Sequence, residues 1–315
     1  MTLTFELLPN EIWLIIFNYL SSRHSWRAFF GINKRLNQLL TSNLIRHTID
    51  LKNISYSEIV QLLENHDRKS YDYQWQAEFI SHASAIYLEN NFDYEILINR
   101  WIATKENWKL SSLRTIYILP EAMNMIGVLL RELKFEKILQ SQLHCLHLVF
   151  DQPCSTYYST LSHLVEKRIS CPIMLLKVTS GHRYQNWEYA DLYNIKHPLY
   201  WMRTVCLTIS VQHSSELILL FMPEALPLLE HLNVTIEQPR KDLITKRKQP
   251  AKSVQLSEND LRYANAAKTK LRSFVLRQIE LDDLLTLFNT FTFPLLDTLI
   301  LVDVFDKCKY NELKF

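Results

Sequence analysis

The chain has 315 residues, 48% hydrophobic and 22% charged, which is ordinary for a folded globular protein and outside the range of disordered ones. Its 35 basic and 33 acidic residues leave a formal charge of +2, so no global field recruits nucleic acid or an anionic membrane. Only Gly31, Gly127 and Gly181 are glycine, which excludes the glycine-rich loops that cradle phosphates, and no GxSxG or HExxH can be written.

The opening residues reach Glu6 without a basic stretch, and the longest apolar runs, 12–17 and 217–222, are six residues each. Neither a signal peptide nor a membrane span is expected, which points to the cytoplasm or nucleus. A helix is predicted from about Pro9, where a missing N–H costs nothing, with Glu11 in its first turn. Ile12, Ile16 and Leu20 form one ridge of it, Trp13 and Phe17 a second, Ile15 and Tyr19 a third, so it is apolar nearly all round. The polar stretch 21–25 reads as a connection. A second short helix then carries Trp26, Phe29, Phe30 and Ile32, and a third carries Leu36, Leu39, Leu40, Leu44 and Ile45 beyond the basic stretch Asn33-Lys34-Arg35. Three short helices bury little surface by themselves and gain by docking onto something else.

The order Leu8-Pro9-x-Glu11-Ile12-x-x-x-Ile16-Phe17-x-Tyr19-Leu20, followed by Ile32-x-Lys34-x-Leu36, resembles the F-box pattern, LPxEIxxxIFxYL and then VCKxW. Asn33 stands where that pattern usually has Cys, and Leu36 where it has Trp. The resemblance covers about residues 4–44 and assigns an F-box to residues 1–45. It implies docking onto the Skp adaptor, and through it onto a cullin-RING ubiquitin ligase, by Leu8, Pro9, Ile12, Ile16, Phe17, Leu20 and Ile32. The competing reading is a helical cap whose outer ridges pack on the protein's own next segment.

From residue 46 to 315 the tract Leu143-x-x-Leu146-x-Leu148 has the strand signature of leucine-rich repeats. Looser copies place a central apolar residue at 49, 86, 116, 146, 176, 205, 232, 274 and 299, at intervals of 37, 30, 30, 30, 29, 27, 42 and 25. The longest interval holds a basic stretch, Arg240, Lys241, Lys246, Arg247, Lys248 and Lys252, read as a surface insertion at about 239–255. Helices are expected between strands: one opened by the capping box Ser55-x-x-Glu58, one at 92–103, one at 214–222, one after Ser257-x-x-Asp260 and one at 281–288. The expected fold is therefore α/β, a three-helix F-box followed by a curved leucine-rich-repeat-like solenoid with parallel strands inside and helices outside. A doubly wound sheet is the alternative, since it also alternates strand and helix.

Alternation along each strand turns the residues between the leucines onto the concave face. Tyr87, Tyr117, His147, Lys177, Cys206 and Asn233 are its central positions and the expected contacts to a protein substrate. Cys145, His147, Cys206 and His231 share that face but lack zinc-site spacing, and the five cysteines are odd in number without a CxxC. No metal, cofactor or catalytic residue is assigned. No carboxylate or oxyanion hole accompanies a Cys–His pair, so a non-catalytic receptor subunit is expected rather than an enzyme. The F-box/leucine-rich-repeat resemblance implies the substrate-recognition subunit of an SCF-type ligase; a repeat scaffold unconnected with any ligase is the other reading.

Overall fold

The computed structural model describes residues 7–42, 45, 47–50, 71–88, 112–119, 140–150, 155–179, 192–195, 197–237 and 269–306. The chain divides into two compact units, Met1–Leu143 and His144–Phe315.

In the first unit, α1 (Asn10–Tyr19) begins one residue later than expected: Pro9 is the residue before the helix, in an extended conformation, and its carbonyl accepts from the Trp13 N–H at 3.2 Å. The stretch 21–25, expected as a connection, instead opens α2 (Ser22–Phe29), because Ser21 caps it by accepting from the His24 N–H at 3.3 Å. The chain leaves that helix through Gly31 at φ 80°, a left-handed conformation that glycine adopts without Cβ strain. Ile32 thus lies after α2 rather than on it. Next comes α3 (Lys34–Leu40), capped by Asn33, whose side chain accepts from the Leu36 N–H at 2.8 Å. The residue that departs from the F-box pattern here is a strong helix N-cap.

The unit continues with β1 (His47–Asp50), α4 (Tyr71–His82), β2 (Ala83–Leu88) and β3 (Thr115–Ile118). Its three strands pair in parallel in chain order, with Ile49 opposite Ile86 and Ile86 opposite Ile116. These three residues and Leu88 and Ile118 are buried, while the alternate positions stay half-exposed.

The second unit contains β4 (Cys145–Phe150), α5 (Ser155–Glu166), β5 (Ile173–Val178), β6 (Cys206–Val211), α6 (Leu217–Phe221), β7 (His231–Ile236), β8 (Ser273–Glu280), α7 (Leu281–Thr290) and β9 (Thr298–Phe305). Every strand pairs in parallel with its sequence neighbour. A doubly wound sheet reverses its strand order at a switch point, and this order does not reverse. The helices expected at 214–222 and 281–288 are present, the former entered through a 3-10 turn at Ser214–Glu216. Those expected near 55, at 92–103 and after 257, and the basic insertion, lie outside the described residues.

Apolar residues at alternate strand positions form one buried face. Phe274 of β8 is on it, and its ring meets Phe221 of α6 at 5.8 Å and Phe288 of α7 at 6.4 Å, so those helices pack on the leucine side. Tyr157 of α5 is fully buried; its hydroxyl donates to the Ser210 carbonyl at 2.7 Å and accepts the Ser210 N–H at 2.9 Å. That pairing satisfies both backbone groups beyond the end of the β5–β6 ladder at Thr208, while β6 remains paired with β7 through Val211.

The register corrects two of the expected repeat positions. Leu146 pairs with Met174, and Met174 with Leu207, so the central apolar residues of β5 and β6 are Met174 and Leu207 rather than 176 and 205. The leading leucine of each motif is replaced by buried Cys171 and Thr204, which hid the true frame. At the far edge, Leu299 and Leu301 continue the columns of Phe274 and Leu276, yet Leu299 is 43% exposed where Phe274 is 0%.

Candidate functional site

Two kinds of surface answer to the sequence expectations: the outer side of the helices in the first unit, and the sheet face opposite the leucines, taken in each unit by itself. On the first, α1 resolves its surplus of apolar ridges by burying only one. Trp13 and Phe17 point inward, where Trp13 meets Phe29 of α2 edge-on at 5.2 Å and Phe17 meets it at 5.4 Å. Phe17, expected on the docking surface, is 3% exposed and belongs to this aromatic core; the correction follows from the apolar partner that Phe29 offers to its ridge. Outside lie Ile12 at 41%, Leu20 and, beyond α2, Ile32 at 52%; Pro9 is exposed too, and Leu8 and Ile16 are half-buried. Ile15 and Tyr19, the third ridge, are also exposed, although neither was among the expected docking residues.

The lead-in to α1 is held in place. Arg35 of α3 donates through Nε to the Asn10 side-chain oxygen at 2.7 Å and through a terminal nitrogen to the Leu8 carbonyl at 2.6 Å. Both are charge-assisted hydrogen bonds that fix the direction in which Leu8 and Pro9 are presented. The sequence reading took Arg35 for part of a solvated basic stretch, because a bond spanning twenty-five residues leaves no local signature.

Behind that surface the three helices are anchored to the first strand. Trp26 of α2 is wholly buried; its indole N–H donates to Nδ1 of His47 at 3.1 Å, while His47 Nε2 bonds the Leu40 carbonyl. The rings of Phe79 and His82 from α4 close on Trp26 at 6.0 and 5.7 Å. This arrangement requires neutral His47 with its proton on Nε2, since Nδ1 must accept. Burial lowers the His47 pKa, and the nearby His82 lowers it further, against a raising effect from the Leu40 hydrogen bond.

The second surface is the sheet face opposite the leucines. Tyr87 and Tyr117 are register neighbours in the first unit, their rings 5.5 Å apart. In the second unit His147 pairs with Leu175, Leu175 with Thr208, and Thr208 with Asn233, so one row contains His147 and Asn233 but not Lys177 or Cys206. The two-residue frame correction moves Lys177 opposite Val149, one step toward the strand ends. It moves Cys206 opposite Ile173 and His231, one step toward the strand starts. All four still face the same way, because a slip of two preserves the side.

Cys145 and Cys206 flank Ile173 from either side, about 10 Å apart at ordinary strand spacing, and burial raises both thiol pKa values. Buried Cys171 is pushed up to about 12. Raised thiols run opposite to the activation that a cysteine nucleophile needs. Among the described residues no three His, Cys, Asp or Glu side chains gather as a metal-holding group, and no helix is long and apolar enough to cross a membrane.

Comparison with protein-family models, with curated proteins and with solved structures finds no match to this chain.

Proposed function

We propose that this chain is the substrate-recognition subunit of a Skp-cullin-F-box ubiquitin ligase, with an N-terminal F-box that binds the Skp adaptor and a leucine-rich-repeat-like solenoid that binds the protein substrate. One observation carries the reading: α1 keeps a single aromatic ridge for its own core and leaves Ile12, Ile15 and the following Leu20 outside, beside a Leu8-Pro9 lead-in pinned by Arg35, and Ile32 beyond α2 is exposed as well. A helix lying apolar side outward is the form in which helical segments dock into a partner's groove. The order of residues that resembles the F-box supplies the partner's identity. The chain itself performs no chemistry in this role; it holds a substrate near the ubiquitin-conjugating enzyme and raises its effective concentration there.

The test is co-expression with the Skp adaptor and affinity purification. Wild-type protein should bring the adaptor down, and Leu8→Ala with Pro9→Ala, or Ile12→Glu alone, should release it while circular dichroism stays unchanged. A wild-type protein that never captures the adaptor refutes the ligase assignment and leaves a repeat scaffold that binds proteins on the same sheet face.

A further inference from the structure

We infer that the sheet face of the first unit receives an arginine side chain of a protein partner, in a notch that the short Asp50 leaves beside the rings of Tyr87 and Tyr117. The inference rests on the reading of that face as a substrate surface and names the side chain it selects.

The notch follows from register and side-chain length. Asp50 of β1 pairs with Tyr87 of β2, and Tyr87 with Tyr117 of β3, so the three form one row at about 4.8 Å a step. All three are half-exposed at positions that alternate with buried Ile49, Ile86 and Ile116, which puts them on the open face. The tyrosine rings lie 5.5 Å apart and 31° from parallel, too close for rings set edge to edge in one plane and within the range of an offset stack. A carboxylate on a single methylene ends well below the neighbouring ring. One end of the row is thus a low anion, and the rest is an aromatic wall.

Charge and chemistry choose the occupant. The described outward positions of this face are Thr48, Asp50, Ala85, Tyr87, Thr115 and Tyr117, and Asp50 is the charged residue among them. Arg114, on the approach to β3, is exposed three residues before Tyr117, about 10 Å along the strand, and donates to the Leu113 carbonyl at 3.2 Å. Lys52 and Glu89, two positions after Asp50 and Tyr87, lie outside the described residues.

Asp50 repels a phosphate or carboxylate, and a purely apolar segment laid over it would desolvate the charge without a partner. A guanidinium suits both halves of the row. Its fork pairs with a carboxylate through two parallel hydrogen bonds, and its flat face stacks on a tyrosine ring. An ammonium supplies a point charge without that flat face, so arginine should be favoured over lysine. Tyr and Arg are both enriched among the residues that carry binding energy at interfaces, and such residues tend to face one another.

The test is selection from a random peptide display library on the full chain, followed by fluorescence anisotropy with the selected peptides. Wild-type protein should enrich arginine, and replacing that arginine by lysine should weaken a peptide about threefold or more. Asp50→Asn and Tyr87→Leu should each weaken the peptides about five- to tenfold, and Tyr87→Phe, which keeps the ring, should lose less than Tyr87→Leu. Asp50→Lys should exchange the arginine preference for Asp or Glu. Hydrogen exchange of the β1–β3 amides reports whether each variant is folded; should Tyr87→Leu fail, Tyr117→Leu should still weaken the peptides. Absence of arginine enrichment overturns the inference, and so do peptides indifferent to Asp50→Asn or to loss of the ring. Lysine bound as tightly as arginine overturns it too. Adaptor capture with the same preparations separates the two proposals: absent arginine preference with intact capture removes this inference alone, and absent capture with intact preference removes only the ligase assignment.

Discussion

The division of α1 into a core ridge and a docking ridge makes a sharp mutational prediction. Phe17→Ala deletes a ring that is 3% exposed and lies 5.4 Å from Phe29 and 5.7 Å from Trp13. Truncating a buried Phe costs about 3 to 5 kcal/mol, and the lower end suits a small unit that can partly collapse. At about 1.4 kcal/mol per decade, 3 kcal/mol raises the open population of these helices roughly a hundredfold. Ile12→Ala, one helical position from Trp13 but 41% exposed, should change local stability by less than about 0.5 kcal/mol. Hydrogen exchange of the amides in α1–α3, read by mass spectrometry, measures both without requiring the whole chain to unfold in one step. The expected result is fast exchange in Phe17→Ala with near-normal exchange in Ile12→Ala, and adaptor capture lost in the second despite its intact fold. Equal exchange in the two variants would refute the argument, because it would mean that Ile12 is as much a core residue as Phe17.

Three other expectations follow from named contacts. Burial holds the His47 pKa below its unfolded value, so the unfolded chain takes up the proton first; the contribution to stability is complete above about pH 6.5 and is lost as pH falls through the folded pKa. Exchange of α2 amides should accelerate on acidification, and a slowing would contradict the neutral Nε2–H assignment. Tyr157→Phe strands both backbone groups of Ser210 and should destabilise the second unit by about 1 to 3 kcal/mol in urea unfolding, with an unchanged midpoint as the contrary outcome. Leu276→Ala and Leu301→Ala occupy the same column, but Leu276 is 0% and Leu301 39% exposed; the first should cost about 2 to 5 kcal/mol and the second under about 1, and a similar cost for both would show that the outer edge is covered in solution.

Amino-acid order alone determined which side of each strand is apolar, because side chains alternate with a period of two and the leucines mark one side wherever they occur. It also indicated three helices before the first strand, but it put the first turn of the second in a connection, because the capping roles of Ser21 and Asn33 emerged only with the hydrogen bonds that define them. Tertiary structure decided the frame. Shifting a strand by two residues leaves every side chain on its own side, so Met174 against 176, or Leu207 against 205, is invisible to hydrophobic pattern and is resolved only by the neighbour's ladder. It decided likewise which ridge of α1 turns inward. All three are apolar enough to be buried, and the choice went to Trp13 and Phe17 because Phe29, on a different helix, supplies the aromatic face they pack against.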